Sequence, residues 1–341
     1  MPVDQPSGTE PLPDAAGPVF VTGAGGFLGR HIVSAFVQAG RRVVGFGRRE
    51  AAAEPGLGVS APSAYVAGNL SREDLARAAG EHGSPAVLIH AAGGSSVGAS
   101  IADPEGDLAR NVGSLQESLA FLAEHAPRAR LVYLSSAAIY GAGATGPIAE
   151  TARLDPVSPY GRHKQIAEAL IGEAAAAWGA DAVTVRFFSA YGPGLRKQIL
   201  WELAGRLLAR PAEVVLSGTG EEARDFLYVD DAVDAFLRAG AADACNGQVF
   251  NVGGTAPVSL RELVALLIEL AGSGSVRLVD WPHEKKTIDI GSFYADSSRI
   301  AAAVGWAPQV PLRDGLERTL AFYREHFARY ARADEGRAAT S

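Results

Sequence analysis

The sequence predicts a doubly wound α/β fold: a parallel sheet covered by helices, followed by a smaller C-terminal α/β lobe. Three observations carry this. Short apolar runs alternate with segments of helical periodicity. A glycine-rich turn joins the first run to the first helix. After about residue 190 the pattern shifts to longer helices and short strands. A continuous apolar run of a few residues marks a strand buried on both faces. Strands separated by helices pair in parallel through right-handed crossovers.

Val19–Thr22 is the first expected strand. Leu28, Ile32, Phe36 and Ala39 then recur at helical spacing, Gly40 closes that helix, and Val43–Phe46 is the next strand. Ala64–Ala67, Ala86–His90, Leu131–Leu134 and Val183–Phe188 continue the sheet, with helices near 107–124 and 159–178. Beyond residue 190, helices near 196–209 and 259–271 alternate with Glu213–Leu216 and Val249–Asn251, and the chain returns to the main sheet around 248–252. The expected division is therefore interleaved: 18–190 with about 225–255 in the sheet domain, and 191–224 with 256–330 in the lobe. Residues 1–17, rich in Pro, Gly and acids, and 331–341 are expected as flexible tails.

Composition narrows the function. The 341 residues are 48% apolar and carry a net charge of −7, so there is no basic footprint for nucleic acid and no polybasic run for a membrane surface. No segment approaches the roughly 20 apolar residues of a membrane helix. The single cysteine, Cys245, rules out an internal disulfide framework and fits a reducing cytoplasm. The seven histidines show no metal-ligand spacing with carboxylates or with Cys245, so no metal is expected.

The turn Val19–Arg30 (VFVTGAGGFLGR) places Gly23, Gly26 and Gly29 in G-x-x-G-x-x-G spacing between a strand and a helix. That context lets backbone N–H groups and the helix N-terminus meet a pyrophosphate, with Phe27 and Leu28 in the same turn. An acid ending the second strand would favour NAD. Gly47, Arg48 and Arg49 follow that strand instead, and two arginines suit a 2′-phosphate, so the cofactor reading is NAD(P) leaning to NADP. Asn69 and Leu70, after the third strand, lie where an adenine edge would be met.

Tyr160 and Lys164 stand four apart, on one face of a helix. A phenol with pKa about 10 is a weak base at neutral pH, and a neighbouring ammonium favours its ionised form. Such a pair can move a proton on and off an alcohol while a hydride leaves the carbon. The strand Leu131–Leu134 ends in Ser135 and Ser136, and Ser136 is placed to orient that alcohol.

In this order, the glycine turn, Ser136, Tyr160 and Lys164 resemble the short-chain dehydrogenase/reductase superfamily, in its extended branch of nucleotide-sugar epimerases and dehydratases. The resemblance spans about residues 18–326 and includes His90-Ala91-Ala92-Gly93, Asp103-Pro104, Asn111-Val112, Tyr191-Gly192-Pro193-Gly194 and Arg224-Asp225. It implies a Rossmann-type sheet and a catalytic set of Ser136, Tyr160 and Lys164, with Tyr160 and Lys164 also touching the cofactor. Ala91, Ala92 and Gly93 would border the dinucleotide, and Lys164 would hold its nicotinamide ribose. Ser95, Ser96, Ser136, Ser189, Arg196, Lys197, Arg224 and Lys286 would face a nucleotide-sugar substrate, with Arg224 on the diphosphate. A homodimer through the helices near 107–124 and 159–178 is implied as well.

Departures from the family pattern carry information. Ser189 stands where an asparagine is common, and Lys285 or Lys286 where an arginine is common. Trp201 is expected in the core rather than on a base. Where the family's 4,6-dehydratases place Asp-Glu after the catalytic hydroxyl, this chain has Ala137-Ala138, which can neither give nor take a proton. The expected activity is C4 epimerisation of a nucleotide sugar. The alternative is an NADPH-dependent ketoreductase of a 4-keto nucleotide sugar or a secondary metabolite. A non-catalytic dinucleotide sensor ranks last, because Tyr160 and Lys164 are both present.

Overall fold

The computed structural model describes residues 17–48, 57–196, 198–209, 213–280 and 291–338. Its main sheet contains β1 (Val19–Thr22), β2 (Val43–Gly47), β3 (Ala64–Ala67), β4 (Val87–His90), β5 (Arg130–Ser136), β6 (Ala182–Phe187) and β10 (Val249–Val252). The order is β10-β6-β5-β4-β1-β2-β3, with every neighbouring pair parallel. The strand order changes direction between β1 and β4, which is the crevice where a doubly wound sheet binds ligands.

The apolar runs are strands because both faces are covered. On β1, Val19 and Val21 enter one core with Ile32, Val33 and Phe36 of α1 (Phe27–Gln38). Phe20 enters the opposite core with Phe46, Leu88, Phe121 and Leu131. The buried residues of α1 recur at three- and four-residue steps. The remaining helices of this half are α2 (Arg72–His82), α3 (Val97–Ala102), α4 (Pro104–Leu108), α5 (Ser114–His125) and α6 (Pro159–Trp178). The helix expected near 107–124 is two, α4 and α5, joined by a π-helical turn at Ala109–Gly113. An extra residue per turn is common at functional sites, and this one borders the cleft described below.

A second core joins α7 (Gln198–Ala209), α9 (Leu260–Ala271) and the helix Leu312–Ala338 through Leu200, Leu203, Leu207, Leu263, Leu267, Leu316 and Tyr323. The small strands are β7 (Ser189–Tyr191), β8 (Glu213–Ser217), β9 (Ala223–Tyr228), β11 (Pro257–Ser259) and β12 (Ser275–Val279); β9 pairs with β7 and β11, and β8 with β12. Helix α8 (Val229–Ala241) packs back on β5 and β6. The chain does return to the main sheet at β10. Residues 331–338, expected as a frayed end, continue the last helix; the Ala, Arg and Glu residues there are strong helix formers. Trp201 packs on Tyr323 with ring centroids 5.0 Å apart, as expected of a core residue.

Candidate active site

One cleft of about 1540 Å³ opens beyond the carboxyl ends of the strands. Its floor is the glycine turn. Gly23 has φ +68°, and a Cβ there would meet the Ala91 carbonyl at 2.5 Å. A Cβ on Gly26 would lie 3.0 Å from the Gly23 carbonyl, and one on Gly29 closer still. Helix α1 begins at Gly26 with no side-chain cap, so its first-turn N–H groups face the cleft without an intrahelical acceptor. The turn fits a pyrophosphate on these grounds.

The loop Ala91–Gly93 is held against this turn by a buried polar chain. Thr22 Oγ1 accepts from Ala92 N at 3.2 Å and sits 3.3 Å from His90 Nδ1. His90 also meets Ser118 and Ser114. Burial, helped by the charge of Lys164, pulls the imidazole pKa down to about 3, so it is neutral. Gly93 has φ +146°, and a Cβ on it would meet Asn111 Oδ1 at 2.5 Å. Asn111 is fully buried in the π-helical turn, where its amide donates to the Asp107 carbonyl and its Oδ1 has no hydrogen-bond partner among the described residues.

Helix α6 presents the tyrosine and lysine. Ser158 caps it by accepting from Gly161 N, Pro159 occupies its first turn, and Gly179 ends it in the left-handed conformation. A Cβ on Gly161 would collide with the Ala138 carbonyl, so this glycine lets α6 approach the end of β5. Ser136, at that end, accepts from Ala138 N at 3.2 Å and favours the ionised form of the nearby Tyr160 phenol.

Lys164 is 2% exposed; its Nζ donates to the Leu134 carbonyl at 2.9 Å and the Tyr133 hydroxyl at 3.3 Å. It lies 6.0 Å from the Tyr160 ring centre. Burial lowers the Lys164 pKa to about 8. The Tyr160 phenol is pushed up to about 12, not down: burial outweighs the opposing influence of Ser136, and the buried Asp107 carboxylate adds to the rise. The sequence-based expectation considered only the ammonium and omitted desolvation. His163, in the same helical turn, meets Asp107 on α4 at 2.7 Å.

The other expected residues distribute as follows. Phe27, Leu28, Asn69, Leu70, Ala91, Ala92, Ser95, Ser96, Ser189, Arg196 and Arg224 all line the cleft. Arg48 lines it too, exposed at its rim. Ser96 also caps α3 by accepting from Ala99 N. Arg224 donates to the carbonyls of Ala223 and Gly291. Arg49, Lys197, Lys285 and Lys286 lie outside the described residues. Three contributors were not anticipated. Gly161 and Ser100 act through close approach or hydrogen bonding to distant segments. Tyr65 was signalled only by Gly45 and Gly47, two residues apart in one strand, a pattern that marks close approach. Among the described residues no group of three His, Cys, Asp or Glu gathers for a metal, and no helix is long and apolar enough to cross a membrane.

Similarities to known proteins agree with this geometry. The chain is 32% identical over 318 residues to the UDP-glucose 4-epimerase of Mycolicibacterium smegmatis, covering 89% of this chain and 97% of that one. It is 31% identical over 319 residues to the dTDP-glucose 4,6-dehydratase of Streptomyces griseus, covering 90% and 94%. The solved structure of MoeE5 in complex with UDP-glucose and NAD superposes with a TM-score of 0.79 at 29% identity, over 91% of this chain and 100% of that one. The family model for NAD dependent epimerases/dehydratases matches residues 19–253. The chain is therefore an enzyme of the NAD dependent epimerase/dehydratase family.

Proposed function

We propose that the protein is a nucleotide-sugar C4 epimerase. The observation that carries this is the Ser136–Tyr160–Lys164 cluster in one cleft with the glycine turn, flanked by Ala137 and Ala138. The two methyl groups offer no acid for water elimination, and the likeness to a UDP-glucose 4-epimerase supports the same reading.

A bound nicotinamide supplies the acceptor and donor of hydride at the sugar carbon. Gly23, Gly26, Phe27, Leu28 and Gly29 would hold its pyrophosphate, Ala91 to Gly93 would border it, and Lys164 would reach its ribose. Ser136 holds the C4 oxygen by hydrogen bonding. Tyr160 takes the C4 hydroxyl proton and returns it after the keto sugar has turned its other face. Lys164, with its pKa near 8, is mostly charged at neutral pH, and its charge would work against the burial that holds the proton on Tyr160. Arg224 and Arg196 suit the diphosphate, and Ser95, Ser96 and Ser189 border the substrate region.

A second reading is favoured by Arg48. A guanidinium after β2 suits a 2′-phosphate, and with NADPH the same residues would reduce a 4-keto nucleotide sugar or a related secondary metabolite in one direction. We also infer a homodimer. Five of the seven exposed large hydrophobics among the described residues, Val97, Ile101, Leu108, Val157 and Ile166, fall on α3, α4 and α6 or just before α6, and these helices touch one another. A cytoplasmic location fits the buried free thiol of Cys245.

The test is a panel of nucleotide sugars incubated with purified protein, following cofactor absorbance and sugar identity together. Epimerisation interconverts two sugars with no net cofactor change. Stoichiometric NADPH consumption with a keto sugar would replace the epimerase reading by the reductase. No turnover despite dinucleotide binding would end both.

A further inference from the structure

The end of β2 holds a feature that neither the triad nor the glycine turn uses. Gly45 and Gly47 lie on one face of β2, and Gly45 pairs with Tyr65 of β3. A Cβ on Gly45 would come within 2.9 Å of the Tyr65 ring, and one on Gly47 within 2.5 Å of its hydroxyl. The phenol therefore lies across both glycines, and its oxygen fills the place of a side chain at Gly47. That same position is 3.8 Å from Gly25 N of the glycine turn.

Gly47 is the residue at which a dinucleotide site for an unphosphorylated ribose would carry its acid. No acid can enter there without displacing Tyr65. The Tyr65 hydroxyl has no hydrogen-bond partner among the described residues, although an unpaired buried hydroxyl is costly. Two arginines line the cleft on the adjoining segments. Arg48 follows Gly47, and Arg30, anchored to the carbonyls of Gly25 and Gly26, acts electrostatically on the phenol. None of the described cleft-lining residues on β2, β3 and the segments that adjoin them is acidic. A ribose 2′-hydroxyl needs an acceptor for its proton; a phosphate needs only donors, and guanidinium groups match it.

We propose that Tyr65, with Arg48 and Arg30, forms a subsite for the phosphate of a 2′-phosphorylated adenosine, and that the Gly45–Tyr65–Gly47 arrangement replaces the acid that would select the unphosphorylated nucleotide. This rests on the reading of the cleft as a nicotinamide dinucleotide site. It assigns the cofactor preference to a residue of the third strand rather than the second.

The test is calorimetric titration of the full chain with adenosine 2′,5′-bisphosphate and with 5′-AMP, which carry the two ribose forms without the reactive ring. The wild type is expected to bind the bisphosphate at least about tenfold more tightly. Tyr65→Phe, which removes only the hydroxyl, should cut that preference several-fold while leaving 5′-AMP affinity and melting temperature unchanged. Gly47→Asp combined with Tyr65→Ala should reverse it. Equal affinity of the wild type for the two nucleotides, or an unaltered preference in Tyr65→Phe, overturns the subsite and leaves the dinucleotide reading standing. Binding of neither nucleotide overturns both.

Discussion

The hydroxyl of Ser100 on α3 accepts a hydrogen bond from the backbone N–H of Tyr160, 60 positions away in the chain, at 3.1 Å. The first N–H groups of a helix lack intrahelical acceptors. Ser158 satisfies that of Gly161, and Ser100, itself donating to the Val97 carbonyl at 2.7 Å, satisfies that of Tyr160. The segment running from the cleft rim into α3 is thereby tied to the residue that carries the phenol. Ser100→Ala leaves this buried N–H unpaired, at a cost of about 1–3 kcal/mol. The expected result is a melting temperature lower by a few degrees and a reduced kcat with cofactor affinity retained; Ser100→Thr, which keeps the hydroxyl, should recover part of both. Unchanged melting and turnover in Ser100→Ala would show that water takes over the contact.

Tyr160→Phe removes the oxygen proposed to carry the proton and keeps the buried ring. General acid–base catalysis contributes about 10²–10⁴-fold, so turnover should fall by that range while dinucleotide binding stays within about twofold. Ser136→Ala should cost less, about 10²-fold, because it only holds the substrate oxygen. Single-turnover kinetics and cofactor titration on the same preparations check both. Activity surviving in Tyr160→Phe would remove this residue from the mechanism.

The sheet and the principal residues of the site were legible because their signals are local. Apolar runs buried on both faces mark β1, β4 and β6, glycine spacing marks the turn at Gly23, and a four-residue step puts Tyr160 and Lys164 together. What the sequence did not disclose depends on partners distant in the chain. The Ser100 contact, the close approach at Gly161 and the ring of Tyr65 across Gly47 each need a neighbour from another element. The raised pKa of Tyr160 was missed for the same reason: a spacing rule places the ammonium, whereas desolvation comes from everything packed around the phenol.

Lys164 should reveal a conflict between activity and stability. Its folded pKa, about 8, lies below the ordinary 10.5, with burial as the leading cause. The folded protein therefore holds the proton less firmly than the unfolded chain. The resulting penalty is fully present below about pH 8 and fades as pH rises toward 10.5. Lys164→Met removes the buried charge, although the Leu134 carbonyl and Tyr133 hydroxyl lose a donor. We expect a melting temperature at pH 7 no lower than wild type, an advantage that shrinks by pH 9.5, and loss of turnover. A clear fall in stability at pH 7 would mean that the two hydrogen bonds outweigh desolvation.

Ile101 and Ile166 are 52% and 44% exposed on α3 and α6, which pack together. If this face joins two copies, a charge placed there becomes buried without a partner. Ile166→Glu and Ile101→Glu should convert the dimer to monomer, measured by light scattering across a concentration series, with the monomer's secondary structure intact. A wild-type protein that is already monomeric at micromolar concentration would refute the dimer.

Asp225 gives a pH dependence of known sign. It is 2% exposed on β9, where Oδ2 accepts from Ala295 N at 2.9 Å. Burial raises its pKa from 3.8 to about 7; the backbone donors, including those of Ala295 and Gly254, and the Arg224 charge only partly oppose this. The folded state thus retains the proton over a range where the unfolded chain has released it. The stability this contributes is fully present below about pH 3.8 and is lost as pH rises through about 7. Asp225→Asn keeps a carbonyl acceptor for Ala295 N and cannot ionise. Its melting temperature relative to wild type should therefore climb between pH 5 and pH 8, then level off. Scanning calorimetry at four pH values measures the difference directly. A gap that stays flat across this range would show that the carboxylate is already ionised at pH 5, held by its backbone donors and Arg224 more firmly than burial disfavours it.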